Sequence, residues 1–256
     1  MTFVDTHIHL YLPEFEQDIN SLISTAREAG VERFYLPAID SAYTKSITSL
    51  VNKFPEYCFP MAGLHPCSVK ENFEEELDVI YKQLTNENVI AIGETGLDFY
   101  WDKTFEKQQY IALEKQLEWA LKFNLPIVLH TRNATRETII TVQPFAEKGL
   151  RGIFHCFGSN IEDAKDIIAM GFYLGIGGVL TYKNSGLDKI LSEIDIKHLV
   201  LETDAPYLSP VPFRGKRNEP RHLKLIAEKL AEINQIPLEK VAEITTENAN
   251  QLFSFH

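Results

Sequence analysis

The chain has 256 residues, 45% of them hydrophobic and 24% charged, and a formal net charge of −11. This is the balance of an ordinary soluble globular protein; it leaves no apolar run of about 18 residues to cross a membrane and argues against a surface built for long-range attraction to nucleic acid. The cysteines Cys58, Cys67 and Cys156 are scattered and form no C-x-x-C pair, so a reducing compartment is expected: a cytoplasmic, monomeric protein without a leader sequence.

In chain order, short runs rich in Val, Ile, Leu and Phe alternate with longer segments of helical period. The runs are Phe3–His9, Val31–Ile39, Tyr57–Leu64, Val89–Gly93, Pro126–His130, Gly152–His155, Phe172–Gly177 and His198–Glu202. Most are continuous rather than alternating, as strands buried on both faces of a parallel sheet are. Between them, Thr104–Phe123 carries one apolar stripe, Leu113, Leu117, Ala120 and Leu121. Another is formed by Leu223, Ile226, Ala227, Leu230 and Ala231. Pro237 reads as the first residue of a final helix, and Gly30 and Gly149 as helix ends. Eight strand candidates separated by helices predict an α/β chain folded as one single-domain (β/α)8 TIM barrel over residues 1–256. No Gly-rich phosphate loop follows the first strand, which weakens a nucleotide-binding open sheet. The stretch Tyr207–Glu219 has no period and contains Pro210, Pro212 and Gly215, as a functional loop would.

Barrel enzymes carry their chemistry at the C-terminal ends of the strands. There this sequence places His7 and His9, then His65, Glu94, His130, His155 and Asp204, with His198, His222 and His256 elsewhere. Histidines at i and i+2 on a strand share a face and can grip one metal ion. Four imidazoles and two carboxylates are enough for two divalent cations, with Glu94 as the bridge. His7, His9, Glu94 and Asp204 are assigned to one ion, and Glu94, His130 and His155 to the other. Mixed nitrogen and oxygen donors suit Zn2+, Mn2+ or iron and keep Mg2+ possible.

The order Asp5-Thr6-His7-Ile8-His9, Gly63-Leu64-His65-Pro66, Gly93-Glu94-Thr95-Gly96-Leu97-Asp98, Leu129-His130-Thr131-Arg132, His155-Cys156-Phe157-Gly158, Glu202-Thr203-Asp204-Ala205-Pro206 and Arg214-Gly215-Lys216-Arg217-Asn218-Glu219-Pro220 resembles the TatD family of metal-dependent deoxyribonucleases, within the amidohydrolase-like metallo-barrels. Cys67 and Asn133 depart from the family's usual residues at positions that are not ligands. The resemblance implies a TIM barrel that hydrolyses DNA phosphodiester bonds, often from the 3′ end of a single strand, with family metal ligands at His7, His9, Glu94, His130, His155 and Asp204.

On this reading a metal-activated water is the nucleophile and Asp204 its general base, while His65 contacts a phosphate or protonates the leaving oxygen. Glu202, two residues before Asp204, is placed to orient a ligating imidazole from behind. The segment 211–224 holds Arg214, Lys216, Arg217, Arg221 and Lys224 against Glu219. Arg214 and Arg217, with Arg132, are therefore expected to hold the DNA backbone locally although the whole chain is acidic. Tyr100 and Trp101 are candidates for stacking on bases. The competing enzyme class on the same scaffold is a metal-dependent hydrolase of amide, lactone or ester bonds, such as an aminoacyl-tRNA deacylase.

Overall fold

The computed structural model describes residues 1–86 and 88–254; His256 lies outside the described residues. The eight apolar runs become eight parallel strands in the order of the chain: β1 Phe3–Asp5, β2 Val31–Leu36, β3 Cys58–Ala62, β4 Ala91–Asp98, β5 Ile127–Arg132, β6 Gly152–Phe154, β7 Tyr173–Ile176 and β8 Leu199–Leu201. Each strand pairs with the next. Past the short ladder of β1, the Thr6 amide donates to Leu201 O at 3.0 Å and the Asp204 amide to His7 O at 2.9 Å, which draws the last strand against the first. The fold is therefore the expected (β/α)8 barrel.

The connecting helices are α1 Ile19–Glu28, α2 Thr44–Lys53, α3 Phe73–Asn86, α4 Glu106–Phe123, α5 Thr135–Ala146, α6 Ile161–Ala169, α7 Leu187–Leu191, α8 Leu223–Asn234 and α9 Leu238–Phe253. Burial explains the continuous apolar runs. One face of each strand packs under the helices, as Phe34, Leu129, Phe154 and Leu174 do. A second cluster takes Val4, Tyr35, Met61, Ala91, Val128, Ile153 and Val200 from seven strands, with Leu252 and Phe253 of α9 against it. Tyr35 and Phe253 stack with ring centroids 4.2 Å apart, so the last helix plugs the barrel floor. Pro237 caps this helix from just outside rather than opening it. Gly30 and Gly149 adopt φ of +93° and +94°, the left-handed ends their positions predicted. No helix among the described residues is long and apolar enough to cross a membrane, and all three cysteines are free.

Two strands differ from expectation in a way that matters for the site. β4 runs on to Asp98 instead of ending at Gly93, and β5 runs on to Arg132. The extension is made by backbone pairing, Gly96 opposite His130 and Asp98 opposite Arg132. Gly96 has φ +146°, and a Cβ there would lie 2.0 Å from His130 O, so only glycine lets the strands approach this closely.

Candidate metal centre

Glu94 sits inside β4, almost fully buried at 2% exposure, and its two oxygens face two different groups of nitrogens. On one side, Oε2 lies 3.1 Å from His7 Nε2 and 3.8 Å from His9 Nε2. Asp204 Oδ1 closes that group, 3.4 Å from His9 Nε2 and 3.7 Å from His7 Nε2. On the other side, Oε1 lies 2.8 Å from His130 Nδ1, 3.4 Å from His65 Nε2 and 3.5 Å from His155 Nε2. Burial alone would push the Glu94 carboxyl up. The facing imidazoles of His65, His7 and His155 outweigh it and hold the group well below the usual carboxylate range. Asp204 follows the same pattern, with burial opposed by His9, His155 and His7, and ends below its ordinary value. Its backbone takes the left-handed conformation, φ +55°, which turns the carboxylate to the cavity.

For His9, His130 and His155, a polar group on the outer side of the ring decides which nitrogen faces a cation, whereas His7 Nδ1 has no hydrogen-bond partner among the described residues. Tyr11 Oη spends its proton on Pro37 O at 2.7 Å, so at 2.8 Å it accepts from His9 Nδ1, leaving Nε2 as a lone pair. Asp98 Oδ2 lies 2.9 Å from His130 Nε2, so Nδ1 is the free nitrogen there. Glu202, fully buried, sets Oε1 3.0 Å from His155 Nδ1 and accepts the Cys156 amide at 2.6 Å. His155 Nε2 is then the inward nitrogen. Burial would lower the His155 pKa, but Glu202 and Glu94 raise it to about 10, so a cation entering at neutral pH has to displace a proton. Gly175 makes room for this carboxylate, since a Cβ there would meet Glu202 Oε2 at 2.3 Å.

His65 is the exception. It falls within the second nitrogen group, although the sequence reading kept it apart. Its Nδ1, however, accepts the Cys67 amide at 3.1 Å. An amide is a fixed donor, so Nδ1 stays unprotonated and Nε2 carries the hydrogen. His65 thus presents an N–H to the centre where His9 and His130 are set to present lone pairs. Four nitrogens, His7 Nε2, His9 Nε2, His130 Nδ1 and His155 Nε2, with Glu94 and Asp204, remain as a donor set of the kind that holds divalent metal; His7, His9 and Glu94 gather in one group, and His7, His155 and Asp204 in another.

The centre opens into a cavity of about 860 Å³ whose wall includes Trp101, Arg132, Tyr182, Tyr207, Arg214 and Lys216. Arg132 and Arg214 line this cavity. Arg217 does not, and this is a correction. Its guanidinium ties the loop to the segment before α1: Nη1 to Asp18 Oδ1 at 3.0 Å and Nη2 to Asp18 Oδ2 at 2.5 Å, with Glu14 O at 2.6 Å and Glu219 Oε1 at 3.4 Å. The guanidinium in turn holds the Asp18 carboxyl below its usual range. Arg221 is paired with Glu219 at 2.8 Å. The local excess of positive charge therefore shrinks to Arg132, Arg214 and Lys216 at the cavity.

Several supporting residues carried no role in the sequence reading. Asp98 and Tyr11 orient imidazoles, as above. Asp5, fully buried, accepts the Thr203 amide at 2.9 Å and the Thr203 hydroxyl at 2.6 Å, tying the His7 segment to the Asp204 segment. Buried Asn218 donates to Thr203 O and Tyr207 O, both at 2.8 Å, and pins the aperiodic 207–219 loop over the rim. The signal available was position: Asp5 and Asp98 stand inside the quoted motifs.

A family model described as "TatD related DNase" matches residues 4–254. The metal-dependent hydrolase YabD of Bacillus subtilis is 39% identical over 252 residues, covering 97% of this chain and 98% of its own. The metal-dependent hydrolase YcfH of Escherichia coli is 29% identical over 257 residues, covering 99% and 96%. Among solved structures, the TatD homologue YjjV of Escherichia coli superposes with a TM-score of 0.93 at 26% identity, over 99% of this chain and 98% of that one.

Proposed function

This chain belongs to the TatD-related DNase family and is a metal-dependent hydrolase, and from that premise we propose that it hydrolyses phosphodiester bonds of DNA, acting on single strands from the 3′ end. The observation that carries the reading is the divided carboxylate of Glu94 beneath a cavity lined by Arg132, Arg214 and Lys216. The ligand set is His7, His9, Glu94 and Asp204 for one divalent ion, and Glu94, His130 and His155 for a second, with Mg2+, Mn2+ and Zn2+ as the candidates.

When bound, a pair of such ions lowers the pKa of water toward neutrality and neutralises charge on a phosphoryl group. The protein supplies the rest. Asp204, with its side chain 13% exposed at the cavity, takes the proton of the attacking water. Its depressed pKa keeps it ionised at neutral pH, so it can accept a hydrogen bond from that water. His65 Nε2–H donates a hydrogen bond toward the phosphate or its leaving oxygen. Asp98, Glu202 and Tyr11 hold His130, His155 and His9 in the orientations described. Arg214 and Lys216 seat the flanking backbone, and Arg132 adds a charge at the same cavity.

The two arginines of the loop give a direct test of the DNA reading. Arg214→Ala should raise KM for a DNA strand about fivefold and flatten its log–log salt dependence by about 0.7. KM for bis(p-nitrophenyl) phosphate, which has no flanking backbone, should rise less. Arg217→Ala should instead cost about 0.5–1 kcal/mol of stability, as partly exposed ion pairs do, with a smaller change in KM for DNA. Equal effects of Arg214→Ala on DNA and on the small ester would argue against backbone contact.

A further inference from the structure

One of the chain's two tryptophans, Trp101, is left 67% exposed beside the metal centre, and its neighbour Tyr100 is 52% exposed. Large aromatic rings so exposed lose their burial free energy unless something covers them. The loop that carries them is nevertheless held firmly. Asp98 Oδ1 accepts the Tyr100 amide at 2.9 Å and the Trp101 amide at 3.1 Å, while Oδ2 of the same carboxylate lies 2.9 Å from His130 Nε2. The Phe99 amide donates to Arg132 O at 2.9 Å, joining the loop to the end of β5. The Arg132 guanidinium lies 4.0 Å from the Tyr100 ring centroid and 5.2 Å from that of Trp101, and the two rings meet edge to face at 4.9 Å. Trp101 and Arg132 line the same cavity as Glu94 and His130.

Resting on the reading that DNA is the substrate, we propose that Trp101, backed by Arg132 and Tyr100, is a stacking shelf for one unpaired nucleobase next to the scissile phosphate. A flat π surface braced by a guanidinium matches a base attached to a phosphate: the ring takes the base and the cation the neighbouring negative charge. A base inside a duplex is stacked on both faces and a terminal one is still held by its pairing partner, so the shelf selects frayed or single-stranded ends. Asp98 fixes the shelf and the His130 imidazole with one carboxylate, so the stacked base and the reacting phosphate are held in a single register. Trp101 is thus a specificity-determining residue that acts on substrate binding.

The experiment combines kinetics with fluorescence on the metal-loaded protein. Steady-state cleavage of a short oligothymidylate is measured for the wild type, Trp101→Ala and Trp101→Phe, together with the same strand in a blunt duplex. A Trp119→Phe variant, whose remaining tryptophan is Trp101, is titrated with a phosphorothioate oligothymidylate that resists hydrolysis. Trp101→Ala should raise KM for the single strand about tenfold, with kcat changed less than twofold, and narrow the preference for single strand over duplex. Trp101→Phe should recover most of the loss, and the Trp101 emission should be quenched over the concentration range of KM. If the wild type cleaves the strand while Trp101→Ala leaves KM unaltered, or if quenching is absent, the shelf is refuted and the nuclease reading stands. If the wild type neither cleaves the strand nor is quenched by its analogue, the nuclease reading fails and the shelf fails with it. Quenching without any cleavage would refute the nuclease reading and, with it, the placing of the shelf beside a scissile phosphate.

Discussion

Asp204→Asn is expected to lower turnover of a DNA strand by about a thousandfold while leaving far-UV circular dichroism and Tm close to those of the wild type. The carboxylate does two things that the amide cannot. It faces His9 and His7 as an anion, at 3.4 and 3.7 Å, and it offers a basic oxygen to a water in the cavity. The amide nearly preserves shape, so the β8 end, held by Asp5 to Thr203 and by the Asp204 amide to His7 O, has no reason to unfold. A variant with a rate near that of the wild type would remove Asp204 from the proton transfer and leave the mechanism without a base.

The second large effect is on metal content. The double variant His7→Ala and His9→Ala should lose about one metal equivalent per chain, read by elemental analysis after dialysis, and nearly all activity. The two imidazoles contribute both nitrogens of the group on the Oε2 side of Glu94. The group on the Oε1 side, with His130 and His155, stays intact. His65→Ala should behave in the opposite way, keeping the metal content of the wild type and losing rate. The difference follows from tautomers: His9 Nδ1 donates to Tyr11 Oη, whereas His65 Nδ1 accepts from the Cys67 amide. Loss of an equivalent on removing His65 would make it a ligand and overturn the tautomer argument. Full activity in the His7, His9 double variant would break the metal reading at its base.

Much of this was legible in the residues alone, for physical reasons that also show where legibility stops. Strands buried on both faces leave continuous apolar runs, so Ile127–Leu129 or Gly152–Phe154 announce themselves. The barrel rule then puts His7, His9, His130, His155 and Asp204 at one rim. The continuation of β4 through Glu94-Thr95-Gly96 was not legible, because polar residues and a glycine read as a loop while the pairing partner, His130, is on another strand. The helper role of Asp98 depends on a contact 32 positions away in sequence. Arg217 was misplaced for the same reason: counting charges along 211–224 could not reveal Asp18, which lies 199 positions upstream in the chain and only 3.0 Å away in space. Composition gave the acidic total of −11, yet what faces the substrate is the small set Arg132, Arg214 and Lys216 around the mouth of the cavity. Local charge and local tautomer decide the chemistry, and both are properties of the folded rim.

The most direct measurement is the degradation of end-labelled DNA, single-stranded and duplex, by protein loaded with Mg2+, Mn2+ or Zn2+ and by the same protein treated with a chelator. The expected result is shortening of the single strand from its 3′ end with at least one of the three ions, abolished by the chelator and restored when the ion is returned. Intact DNA under every ion, from protein shown to hold its metal, would contradict the assignment of a phosphodiester substrate.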